Sequence, residues 1–255
     1  SDVYKRQAQC CTGIHMDADA ICPELRTQSY TFVSNHRDIV LDAAFLSILM
    51  LDNGFQNTVE IAIGDNLLIY PWIKTLVRIN KSFIVQRSVG MREMLMSSKR
   101  MSQYMHFAIA EKHESIWIAQ REGRAKDSND RTQESVLKMM AMGGEGSPID
   151  SLKQLNIVPL TISYEYDPCD YLKAKEFQQK RDDTEFKKSR QDDLNNMQTG
   201  IFGFKGKVTY RLAAPVNTWI EEYRDLPKTE IFKAIAQRMD RDIHRNYEIY
   251  PLSLI

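Results

Sequence analysis

The sequence predicts an α/β fold: a single domain with a largely parallel or mixed sheet flanked by helices. Short β-branched and aromatic runs alternate along the chain with longer segments of helical periodicity, as in strand–helix–strand units. Polar residues gather just after several of these runs, where open α/β sheets hold ligands beyond the carboxyl ends of their strands. A chain of 255 residues with 43% hydrophobic and 27% charged content is long enough to build one substantial core.

Residues 1–28 carry no clear pattern and are expected to be an irregular lead-in or short helix, partly non-native at Ser1–Gln7, with the domain proper spanning 29–255. Tyr30-Thr31-Phe32-Val33 reads as a short buried strand, and Ala43 to Leu51 as a strong helix former with an apolar face. Thr58–Ile63 is β-rich and stops at Gly64. Asp65 or Asn66 then caps a helix through Leu67, Trp72, Leu76 and Val77, bent near Pro71. Ser82–Val85 is a third strand. A long helix over 91–111 follows, with Met94, Met101, Met105 and Ala108 expected to fill the core.

Ile116–Ala119 is a fourth strand and leads into the charged loop 120–131. Thr132 is expected to cap a helix that ends in the glycines of 143–146. Ile157–Ile162 is a fifth strand. Residues 171–197 are charged and sparsely apolar, with Phe177, Phe186 and Leu194 as anchors; they read as a solvated helical insertion. Lys207–Leu212 is a sixth strand closed by Pro215. The last helix carries Ile231, Ile235, Met239 and Ile243 at four-residue steps.

Lys and Arg total 34, as do Asp and Glu, so net charge is zero and whole-chain charge argues for no particular partner. The mixed signs within 171–197 argue against a nucleic-acid patch there, and no nucleic acid is expected as a partner. The cysteines Cys10, Cys11, Cys22 and Cys169 have neither zinc spacing nor a secreted-framework pattern, so reduced thiols in a cytosolic compartment are expected. No apolar run approaches the ~20 residues that cross a bilayer, and none has the form of a signal peptide. Between Leu67 and Ala110, however, Lys74, Arg78, Lys81, Arg87, Arg92, Lys99 and Arg100 face the single acid Glu93. Interleaved with Trp72, Leu76, Val77 and Phe83, they describe either a face resting on anionic lipid or a solvated helix surface.

The chemistry concentrates in Ser34-Asn35-His36-Arg37-Asp38-Ile39-Val40-Leu41-Asp42, where a strand gives way to a helix. A His acts as a general base when a carboxylate on its second ring nitrogen fixes the tautomer and stabilises the imidazolium. Asp42, six residues on, and Asp38, two residues on, are both within reach of His36 across such a turn. Two further strand ends are polar: Phe83-Ile84-Val85-Gln86-Arg87, and Gln120-Arg121-Glu122-Gly123-Arg124. With parallel strands these groups share one crevice, and Arg supplies the charge-assisted grip that a phosphate monoester needs.

"SNHRDIVLD", "SFIVQR", "AQREGR" and "IVPLTI" resemble, in order, the four signatures of the glycerolipid acyltransferases; the resemblance spans about Phe32 to Ser163. Five residues separate His36 from Asp42 where the family usually has four, so Asp38 stands as the other partner. In the third signature the family commonly has one more residue between Gly and Arg, which makes Lys126 and Arg131 alternatives to Arg124. The resemblance implies an O-acyltransferase of phospholipid biosynthesis. It would move a fatty acyl group from acyl-CoA or acyl carrier protein to a hydroxyl of glycerol 3-phosphate, lysophosphatidate or a related lysolipid. It implies His36 as base and Arg87 and Arg124 on the acceptor's phosphate. Glu122, next to Gly123, would take the free hydroxyl. Backbone N–H groups near the His36 turn or the Glu122 loop are expected to stabilise the oxyanion. No cofactor and no metal are expected, and the site is expected at the cytoplasmic membrane, peripherally bound. The other readings of the same residues are a thioester or phosphoester hydrolase and a non-catalytic lipid-binding module.

Overall fold

The strands of the computed structural model are, in chain order, β1 (Cys11–Asp17), β2 (Thr31–Ser34), β3 (Val59–Gly64), β4 (Ser82–Val85), β5 (Ser115–Ala119), β6 (Ile157–Tyr164) and β7 (Gly206–Leu212). The structure describes residues 10–64, 81–85, 90–127 and 129–251. Among them seven α-helices flank the sheet: α1 (Leu41–Asp52), α2 (Met91–Ala110), α3 (Glu134–Met140), α4 (Pro148–Gln154), α5 (Asp170–Asp182), α6 (Arg190–Phe202) and α7 (Lys228–Arg245). The helix expected over 67–77, with its Trp72, lies outside the described residues, as does Arg87.

The sheet order is β1-β7-β6-β2-β5-β3-β4. Strands β6, β2, β5, β3 and β4 are parallel; β7 runs antiparallel to β6, and β1 lies parallel to β7 at the edge. The sheet is therefore mixed. Central β2 is buried along its whole length, which explains its unbroken run of apolar and small residues. Period-two alternation divides the core: Phe32, Trp117, Val158 and Leu160 face α1, whereas Val33, Ile116, Ile118 and Ile157 face α2, α3, α4 and α7. On α7, Ile231, Ile235, Met239 and Ile243 are all buried, as their spacing predicts.

Register brings the functional ends together. Ser34 pairs with Ala119 of β5 and Leu160 of β6, so the segments after β2 and β5 leave the sheet side by side. The chain position of His36 is thus the crest of the central strand, between two neighbours and at a switch in strand order.

Several expectations are corrected. Residues 8–28 are not wholly irregular: they supply β1, an edge strand whose Thr12 and His15 are exposed and whose hydrophobic alternation is correspondingly faint. Met94 is 48% exposed, while Met101, Met105 and Ala108 do join the core. Thr132 does not cap α3; its N–H and hydroxyl both donate to Asp240 Oδ1, at 2.8 and 2.6 Å, tying the loop to α7. The glycines of 143–146 are followed by α4, opened by a Ser147–Asp150 capping box. The insertion is a pair of helices, α5 and α6, and it is not merely solvated. Lys173, Glu176 and Asn196 are buried.

Candidate active site

Helix α1 begins as a buried element, with Leu41, Ala43, Phe45, Leu46, Leu49 and Met50 in the core, and Asp42 stands on that same buried side with no exposed surface. A carboxylate on the core-facing side of a helix requires partners. Asp42 Oδ2 meets His36 Nδ1 at 2.8 Å and accepts the N–H groups of Arg37 at 2.6 Å and Asp38 at 3.0 Å. Its Oδ1 accepts the Tyr164 hydroxyl at 2.9 Å, and its backbone carbonyl accepts Tyr210 Oη at 2.9 Å. Burial pushes the carboxyl upward, but the bonds from His36 and the backbone outweigh it and hold Asp42 below the ordinary carboxylate range. Burial and the neighbouring Asp42 charge drive both tyrosines well above theirs, so each remains a hydroxyl donor.

An ionised Asp42 accepts only, so the proton between the pair belongs to Nδ1 of His36; among the described residues nothing hydrogen-bonds Nε2. The ring stands edge-on to Trp117, centroids 5.3 Å apart, and Trp117 Nε1 is fixed by Ser34 Oγ at 2.9 Å. Asn35, the fully buried residue before His36, is itself locked by exchanging two hydrogen bonds with the Ile162 backbone. The imidazole is thus held from below and behind, with one nitrogen presented outward.

The structure decides between the two aspartates. Asp38 Oδ1 accepts the N–H groups of Val40 and Leu41, at 2.9 and 2.8 Å, and so satisfies the first turn of α1 rather than the imidazole. Burial, and then the Asp42 charge, raise its carboxyl above the usual range. This network also engages several of the backbone donors in the two loops. The N–H groups of Arg37, Asp38, Val40 and Leu41 are engaged by the two aspartates, and that of Glu122 by Gln133 Oε1.

Of the other expected residues, Glu122 and Gly123 are exposed on the loop after β5, and Gly123 takes φ +69°, a left-handed turn suited to glycine. Arg124 is 7% exposed and turned inward: Nη2 donates to Asn196 Oδ1 at 2.9 Å and Nη1 to the Arg37 carbonyl at 3.4 Å. Of its alternatives in that loop, Lys126 pairs with Glu176 of α5, and Arg131 Nε donates to Asn129 Oδ1. Tyr164, Tyr210, Trp117, Asn196 and Lys173 escaped the sequence reading. Trp117 sits in a run that signals only a strand, and a lysine in a charged helix looks solvated. Among the described residues no group of His, Cys, Asp and Glu is arranged to hold a metal ion.

Comparison with known proteins places residues 22–163, more than half of the chain, in a match to the Acyltransferase family. The crystal structure of the 1-acyl-sn-glycerophosphate (LPA) acyltransferase PlsC from Thermotoga maritima aligns with a TM-score of 0.48 at 12% identity, covering 91% of this chain and 71% of that one. No curated protein sequence matches.

Proposed function

The chain belongs to the acyltransferase family, and from that premise we propose that it transfers a fatty acyl group from an acyl thioester to a hydroxyl of glycerol 3-phosphate, lysophosphatidate or a related lysolipid. The observation that carries this reading is the His36–Asp42 pair at the crest of the sheet, with Asp42 buried and ionised and, among the described residues, no hydrogen bond at Nε2 of His36. The acceptor's O–H gives its proton to Nε2, and the oxygen attacks the thioester carbonyl. The tetrahedral intermediate expels the thiolate, which takes the proton back from the imidazolium. The products are an ester and a free thiol. Asp42 stays ionised throughout and stabilises the transient imidazolium.

Arg87 and the loop Glu122-Gly123-Arg124 remain the candidates for the acceptor's phosphate and hydroxyls. Arg124 would reach a phosphate there by exchanging Asn196 for it, so Arg87 is the first candidate. No metal or cofactor enters these steps. The donor is acyl-CoA or acyl carrier protein, and no nucleic acid takes part. We place the enzyme peripherally at the cytoplasmic membrane. No helix of the described residues is long and apolar enough to cross a bilayer, and Met94, Leu95 and Met96 are exposed in succession near the start of α2, beside Arg92, Lys99 and Arg100.

The test is acyl transfer from a long-chain acyl-CoA to glycerol 3-phosphate, lysophosphatidate and lysophospholipids with larger head groups, with parent and His36→Ala side by side. Transfer by the parent that falls about 10²–10⁴-fold in His36→Ala supports the assignment. Acyl-CoA consumed without any acceptor would make it a hydrolase. Full activity in His36→Ala would overturn the role of the histidine.

A further inference from the structure

Helix α5 is charged and largely exposed, and the two residues it buries are polar: Lys173 and Glu176. Hydrophobic packing therefore does not explain its position. Lys173, 3% exposed, contacts Asp167 Oδ2 and donates from Nζ to the Arg37 carbonyl at 3.1 Å. The same carbonyl receives Arg124 Nη1, whose guanidinium is anchored by Asn196 of α6. α5 thus reaches one peptide unit directly, and α6 reaches the same unit through Arg124. That amide is the one linking Arg37 to Asp38, and its N–H donates to Asp42 Oδ2.

We propose that Lys173 is a positioning residue for the proposed acyl transfer, acting through the 37–38 peptide on Asp42 and thence on His36. A cation on the carbonyl of an amide polarises its N–H, so the bond to Asp42 strengthens and the peptide plane is pinned at both ends. A buried ammonium is costly unless its partners are well placed, and burial does lower the proton affinity of Lys173 against the opposing pull of Asp167. Here the partners are a carboxylate and the turn that carries the base. The insertion, absent from the four signatures, becomes the brace of the site.

The proposal rests on the transferase reading, so the two must be separable. Lys173→Met, Lys173→Met with Asp167→Asn, and Lys173→Arg are compared with the parent by steady-state kinetics. The His36 Nδ1–H resonance of each is followed by proton NMR without substrate. The double variant removes the carboxylate that the single one would leave unpaired. Expected are a kcat lower by about 10–100-fold with acceptor KM within about twofold, and rescue by arginine to within about threefold. The Nδ1–H signal should move upfield and exchange faster with water in the Met variants alone. Unchanged kcat and an unchanged resonance overturn the proposal. So does a loss of activity that only tracks the fraction of folded protein, or failure of both Met variants to fold while Lys173→Arg is folded and active. If the parent transfers no acyl group, the transferase reading fails, and the NMR comparison still reports on the brace.

Discussion

Asp38 and Asp42, four residues apart where the chain enters α1 and both buried, have opposite protonation preferences: the bonds from His36 and the backbone lower Asp42, whereas burial and the Asp42 charge raise Asp38. Asp42 takes an imidazole and two backbone N–H groups on one oxygen; Asp38 takes two N–H groups while lying in the field of its neighbour. The difference pairs one with the imidazole and the other with the helix start.

Exchange of each for asparagine separates these roles. Asp42→Asn removes the charge that fixes the His36 tautomer and is expected to lower kcat by about 10²–10⁴-fold. Asp38→Asn keeps an oxygen for Val40 and Leu41 and should stay within about threefold of the parent, since no step requires its charge. Initial rates on one acceptor decide the matter, and equal losses in the two variants would contradict the assignment.

Stability should respond to pH in opposite senses at the two sites. The folded-state carboxyl of Asp42 is lowered from 3.8, so its contribution is present above that value and is lost as pH falls through the folded one. That of Asp38 is raised from 3.8, so the native state binds more protons than the unfolded chain above 3.8 and loses stability as pH rises through the window. Urea unfolding at a series of pH values should therefore show Asp38→Asn gaining on the parent as pH increases, levelling off once native Asp38 is ionised.

The two tyrosines differ in what they support. Tyr164→Phe strips a hydrogen bond from a buried carboxylate oxygen and is expected to cost about 1.5–3 kcal/mol; Tyr210→Phe releases a neutral carbonyl and should cost about 1 kcal/mol. Denaturant midpoints give the comparison, and only Tyr164→Phe should also reduce kcat.

Gly200 of α6 lets that helix approach the His36 turn. A methyl group there would stand 2.0 Å from Asp38 Oδ2. Gly200→Ala is expected to destabilise the fold by about 1–3 kcal/mol, read as a fall of several degrees in melting temperature. An unchanged melting temperature would mean that α6 does not press on the turn.

Much of this was legible in the sequence. Strand–helix alternation gave the parallel part of the sheet, because buried strands and amphipathic helices announce themselves by period. The His36–Asp42 pair was readable as a polar break between two apolar segments. What escaped depends on distant parts of the chain. β1 is an edge strand with weak alternation, and nothing local says that it will lie beside β7. Lys173 carries the same charge as its solvated neighbours, and only the fold shows that it meets a carbonyl 136 residues away. The inward turn of Arg124 likewise depends on Asn196.

The family match ends at residue 163, yet the sheet does not. β1 and β7 both lie outside the matched segment, and Tyr210 of β7 holds the Asp42 carbonyl. A protein cut to residues 22–163 would expose the flank of β6, leave the N-terminal end of α1 unsupported and offer unpaired strand hydrogen bonds to other molecules. The signature-bearing half is therefore not self-sufficient.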